Sequence, residues 1–152
     1  MIVVLDTNIL GAIVNPKPKS PSVKAVILWA AQMRQAGNTF AIPAIAVYEL
    51  RRELIRAGAT ESQSKLDTFI AATTNIYLPL TDTALYRAAH LWATVRNAGQ
   101  TTANDAALDG DVILMAQVLE ANYPTPGYVV ATDNLKHFAG FVVADNWQNI
   151  AP

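Results

Sequence analysis

The sequence predicts an α/β fold: a three-layer α/β/α sandwich around a mostly parallel central sheet. Three observations carry this. Short apolar runs (IVVL at 2–5, TFAIP at 39–43, IYLPL at 76–80, YVVAT at 128–132) alternate with longer stretches of helical period. The first and fourth runs are apolar nearly throughout, as befits strands covered on both faces. The 152 residues are 52% apolar and only 15% charged, enough to build one core and too apolar for disorder.

In chain order, residues 2–5 are the first strand, and a short helical turn follows Asn8 and ends near Asn15. NPKPKSP is a basic loop, because proline fixes φ and donates no hydrogen bond. Val23, Val26, Ile27 and Ala30 recur at helical spacing over residues 22–36, and Gly37 supplies a stop. After the second strand, Pro43 leads into a helix from Ala44 to Ala57, ended by Gly58. Thr60 and Gln63 have the spacing of a capping box for a helix reaching Thr73. Thr81 or Asp82 caps a helix through Ala98, with Ala84, Leu85, Ala88, Leu91, Trp92 and Val95 as its buried stripe. Asp109 starts another helix, with Val112, Leu114, Met115, Val118 and Leu119 apolar. GFVVA, after the fourth strand, reads as a fifth.

The chain has no cysteine, which excludes disulfide scaffolds, thiolate metal sites and cysteine nucleophiles. The opening apolar run is too short for a secretion signal, and no run approaches the roughly 20 residues of a membrane span. The expectation is one domain over residues 1–152, cytoplasmic, with no membrane contact. Net charge is −1. If Asp6, Glu49, Asp109, Asp111 and Asp133 shared a pocket, seven acids would be left against eleven Lys and Arg. That surplus would suit an anionic ligand.

Asp6 and Asp133 each follow a buried strand, and parallel sheets bind ligands beyond the carboxyl ends of their strands. Either acid, with Thr7, Asn8, Thr132 or Asn134, would serve equally as a local cap or turn residue. Glu49 lies off the apolar stripe Val47, Leu50, Leu54 and Ala57, so it is free to pair at the surface. Asp109 and Asp111 flank Gly110, and only one of them can cap the helix they open. Gathered together, such carboxylates repel one another unless a cation neutralises them, and hard oxygen ligands suit Mg²⁺ or Mn²⁺. His90 and His137 are too few and too scattered for zinc, and His90 is expected to be packed.

The ordered set VVLDTNIL, IPAIAVYELRREL, DGDVILMAQVL and VVATDNLKHF resembles the four motifs of the PIN domain, and within it the VapC-type toxin ribonucleases. The resemblance covers essentially the whole chain. It implies Mg²⁺- or Mn²⁺-dependent cleavage of RNA, with Asp6, Glu49 and Asp111 as the acidic core. The family's fourth acid stands two residues after the threonine; that place is Asn134 here, and Asp133 is one residue early, so Asp133, Asn134 or Asp109 would fill it. Thr7, Asn8 and Thr132 would orient ligands and waters, and Arg51, Arg52, Arg56, Lys17 and Lys19 are candidates for RNA phosphate contacts. The resemblance also implies a homodimer and a small antitoxin partner, with Trp29, Trp92 and Trp147 as core or dimer residues. A catalytically degenerate protein that binds RNA or protein without cutting is the alternative. A phosphotransfer receiver would want paired acids after the first strand, and a dehalogenase-type phosphatase an acid where Asn8 stands.

Overall fold

The computed structural model describes residues 1–99, 105–138 and 140–152. Five strands, β1 (Ile2–Leu5), β2 (Thr39–Pro43), β3 (Asn75–Leu78), β4 (Tyr128–Thr132) and β5 (Ala144–Asn146), form one sheet. Their order is β3-β2-β1-β4-β5 and every pairing is parallel. β1 is central, with Val3 opposite Phe40 on one side and Val129 on the other. Between the strands run α1 (Thr7–Ile13), α2 (Pro21–Gln35), α3 (Ala44–Arg56), α4 (Thr60–Ala71), α5 (Asp82–Asn97) and α6 (Asp105–Ala121).

Side chains alternate across a strand, and that period of two divides the core. Val3, Leu5, Phe40, Ile42, Val129 and Ala131 meet α1, α2 and α4 on one face. Val4, Ala41 and Val130 meet α5 and α6 on the other. α3 touches both clusters, with Ala46 and Val47 in the first and Ile45 in the second. The indole of Trp29 donates to Ile150 O at 2.9 Å and packs on Trp147, which ties the C-terminal segment to the first face.

Four expectations need correction. GFVVA does not form the fifth strand: Phe141 and Val142 turn back onto Phe138 O, and β5 begins only at Ala144. The apolar run signalled burial, since Phe141 and Val142 pack on the second cluster, but not extended pairing. Thr60 and Gln63 form no capping box. Ala59 occupies the cap position without a side-chain bond, and the Gln63 amide donates to Leu54 O at 3.4 Å instead. The tight α3–α4 turn, with Gly58 at φ +63°, brings that carbonyl within reach. On α5, Ala84, Ala88 and Val95 are buried, whereas Leu85 and Trp92 are 45% and 36% exposed and His90 is exposed beside Tyr86. α6 starts at Asp105, so Asp109 and Asp111 lie inside the helix and neither caps it.

Gln117 on α6 fixes the carboxyl edge of the sheet. Its buried side chain donates to Leu78 O at 2.6 Å and Pro79 O at 2.9 Å, and accepts from Ile45 N at 3.2 Å. One amide thereby secures the end of β3 and the first turn of α3. Gln117→Leu keeps the volume and orphans those backbone groups, so urea unfolding is expected to show a loss of about 2–4 kcal/mol. A loss under about 0.5 kcal/mol would show that the three bonds contribute little net stability.

Candidate active site

All strands point the same way, so the residues following β1, β2 and β4 gather at one edge. Asp6 ends β1, and its N–H is still in the ladder, donating to Ala131 O at 3.2 Å. Asp6 is also the N-cap of α1, as its simplest local reading expects. Its Oδ1 accepts from Thr7 N at 2.7 Å, and its Oδ2 accepts from the buried Thr132 hydroxyl at 2.6 Å. Thr7 in turn donates its hydroxyl to Glu49 Oε2 at 2.6 Å. Glu49, on the second turn of α3, is thus drawn beside Asp6. Gly110 of α6 lies directly against Glu49 Oε1, which brings the next residue, Asp111, to the same place.

Burial and neighbouring charge act together on these carboxylates. Burial pushes the Asp6 carboxyl up from its usual 3.8; the Thr132 and Thr7 bonds oppose this, and the charges of Glu49 and Asp133 add to it. Burial pushes Asp111 up to about 6; His137 opposes the rise, and the charges of Asp6 and Glu49 reinforce it. Asp111 Oδ2 is buried, lies 2.6 Å from His137 Nδ1 and has no other hydrogen-bond partner. The sequence set His137 aside only as a zinc ligand. The 3-10 turn Leu135–His137 carries it back over the site, where the Asn134 amide lies 3.0–3.1 Å from its ring nitrogens.

The remaining candidates divide. Asp133 is near enough for its charge to act on Asp6, but its Oδ1 accepts from Trp147 Nε1 at 2.9 Å. Asn134 donates its backbone N–H to Thr132 Oγ1 at 2.9 Å. Asn8 is exposed on α1. Asp109 is not brought to this place: it is exposed and lines an apolar cavity between α5 and α6 with Leu85, Trp92 and Val112. Two residues along a helix is about 200° of rotation, which separates Asp109 from Asp111. Arg51 pairs with Asp67 at 2.5 Å, Arg56 with Glu53 at 2.8 Å and Lys17 with Glu61 at 2.9 Å. Arg52 lies 5.4 Å over the exposed Tyr48 ring, and Lys19 is exposed.

The donor chemistry fits a hard divalent cation. Asp6, Glu49 and Asp111 offer only oxygen, and burial pushes two of the three toward protonation, a cost that a bound cation would offset. Among the described residues no three ligands already stand as a coordination set. Their oxygens are engaged by Thr7, Thr132 and His137 instead.

Because folding raises the Asp111 pKa, the folded protein binds the extra proton between pH 3.8 and about 6. Stability from this group therefore falls as pH rises through that window and stays low above it. Asp111→Asn removes the cost, and in chelator at pH 7 it is expected to stabilise the protein by about 1–2 kcal/mol after allowance for solvent screening. Thermal melts would show this as a higher midpoint, with a weaker pH dependence between 4 and 6. A lower midpoint would mean that the carboxylate is held favourably.

No protein-family model matches the sequence, and comparison with curated proteins finds no match. Comparison of structures finds several likenesses. A chain of VapBC2 from Rickettsia felis, solved bound to a DNA fragment from its promoter, aligns over 97% of this chain and 99% of its own, at 23% identity and a TM-score of 0.64. A chain of VapBC-1 from nontypeable Haemophilus influenzae aligns over 98% and 100%, at 18% identity and 0.63. VapC20 of Mycobacterium tuberculosis, described as a toxin that cleaves the sarcin-ricin loop, aligns over 92% and 96%, at 16% identity and 0.64. Nearly end to end, therefore, this chain has the fold of the VapC-type PIN-domain toxins.

Proposed function

We propose that the chain is a Mg²⁺- or Mn²⁺-dependent endoribonuclease of the VapC type. The observation that carries this reading is the meeting of Asp6, Glu49 and Asp111, from three separate elements, at the carboxyl edge of the parallel sheet. Burial first, and the charges of neighbouring carboxylates second, push the Asp6 and Asp111 pKa values up, and a cation bound there would offset both costs. VapC20, which shares the fold, is described as cleaving the sarcin-ricin loop, and that supports RNA as the substrate class.

Asp6, Glu49 and Asp111 would hold the metal. A divalent cation bound there supplies charge stabilisation at the scissile phosphate and an acidified water. Thr7 and Thr132 orient the carboxylates through their hydroxyls, so that the ligands keep their places despite repulsion. Arg52 lies on the helix that carries Glu49 and stacks on exposed Tyr48, which suits a phosphate contact along the RNA backbone. The paired Arg51, Arg56 and Lys17 have surface partners that release at little cost, and with Lys19 they would extend the same contact. Other structures of this fold are VapBC complexes, which supports a small antitoxin as partner of this chain, and a homodimer is part of the same reading. No helix among the described residues is long and apolar enough to cross a membrane, and a cytoplasmic location goes with this reading.

One observation favours the binding-only reading. Asp133 is held by Trp147, and Asn134 takes the family's fourth acidic place, so a fourth carboxylate is not offered to the metal as the side chains stand. A mixed RNA pool separates the two. Wild type is expected to cut it with Mg²⁺ or Mn²⁺ and to stop in chelator, and folded Asp6→Asn is expected to cut about 100-fold more slowly or less. Wild type free of bound inhibitor that binds RNA and cuts none of it would establish the binding-only reading.

A further inference from the structure

Gly110 is buried in the interior of α6. Its φ is not positive, so the backbone there does not call for a glycine. Inside a helix glycine is less favourable than alanine, because it loses more backbone freedom on folding. The position needs another reason. A Cβ placed there would collide with Glu49 Oε1 and stand 3.1 Å from Glu49 Cδ and 3.6 Å from Oε2. The same carboxylate is held through its other oxygen by the Thr7 hydroxyl at 2.6 Å. Glu49 is therefore bracketed between a hydroxyl of α1 and bare backbone of α6, one residue from Asp111.

We infer that Gly110 is a positioning residue: its missing side chain is what lets the Glu49 carboxylate sit beside Asp111, where a divalent cation would be held. The inference rests on the metal-dependent reading above. A methyl group at 110 makes the Glu49 carboxylate withdraw, and it then gives up either the Thr7 bond or its place by Asp111. The two roles open to the glycine differ in sign. If it served only the helix, alanine would leave metal binding alone and raise the melting temperature. If it makes room for Glu49, alanine weakens metal binding, and the effect vanishes once Glu49 is gone.

The test titrates Mn²⁺ alone into wild type, Gly110→Ala, Glu49→Ala and Glu49→Ala/Gly110→Ala by calorimetry, with thermal melts in chelator to show folding. Gly110→Ala is expected to weaken Mn²⁺ binding about tenfold or more in the wild-type background. In the Glu49→Ala background it is expected to change binding by less than about twofold. Mn²⁺ affinities of wild type and Gly110→Ala within twofold of each other would overturn the inference while leaving the metal reading intact. Should Gly110→Ala fail to fold, the double variant, in which nothing is left to collide, is expected to fold. Failure of both would assign the glycine to backbone packing and overturn the inference. Wild type that binds no Mn²⁺ would overturn the metal reading and this inference together.

Discussion

Thr7 holds together two carboxylates that repel each other. Its backbone N–H donates to Asp6 and its hydroxyl to Glu49, at 2.7 and 2.6 Å. Thr132 adds a hydroxyl from the neighbouring strand to the other Asp6 oxygen. Neutral donors of this kind favour the charged form of Asp6, but burial outweighs them and neighbouring charge adds to it, so its pKa stays raised. The rest of the structure makes this arrangement rigid. β1 is the central strand, flanked on both sides by parallel partners, and Asp6 is anchored to β4 through its own N–H. Gln117 fixes the start of α3, from which Glu49 projects, to the end of β3.

The crowding has a thermodynamic reading. Buried acids with raised pKa values lower stability at neutral pH, so a fold that keeps them gains from whatever cation neutralises them. His137, 2.6 Å from Asp111, opposes part of that rise from within the chain. Local departures from the usual rules gather here as well. A glycine sits inside a helix, a carboxylate oxygen is buried with an imidazole as its only partner, and a strand stops on an acid. Departures concentrated at one edge of a sheet mark a functional place more strongly than any one of them alone.

Much of this was legible in the sequence. The uninterrupted apolar runs at 2–5 and 128–132 gave buried strands, and the acids that end them gave the site's edge. Position in four ordered motifs singled out Glu49 and Asp111, which their own surroundings could not, because a helix acid off the apolar stripe has the pattern of surface charge. The errors have physical causes. Asp109 looked like a helix start because two acids and a glycine have the composition of a cap, yet the helix runs four residues further back, and its rotation carries Asp109 to the α5 side. GFVVA looked like a strand because apolar β-branched residues serve equally in an irregular segment that is only half-buried. His137 was weighed only as a zinc ligand, because its place beside Asp111 depends on a 3-10 turn that folds residues 134–137 back on the site. An asparagine and a histidine three apart, straight after a strand-ending acid, was the signal available.

The central claim is that Asp6, Glu49 and Asp111 are held close together in a partly buried site, which a bound cation would favour. A pH titration of the side-chain carboxyl carbons by NMR, in chelator and then in saturating Mg²⁺, tests it most directly. In chelator the Asp111 resonance is expected to titrate near pH 6, and Mg²⁺ is expected to move that midpoint down by at least about one unit. An Asp111 midpoint near 3.8 in chelator, unmoved by Mg²⁺, would contradict the account.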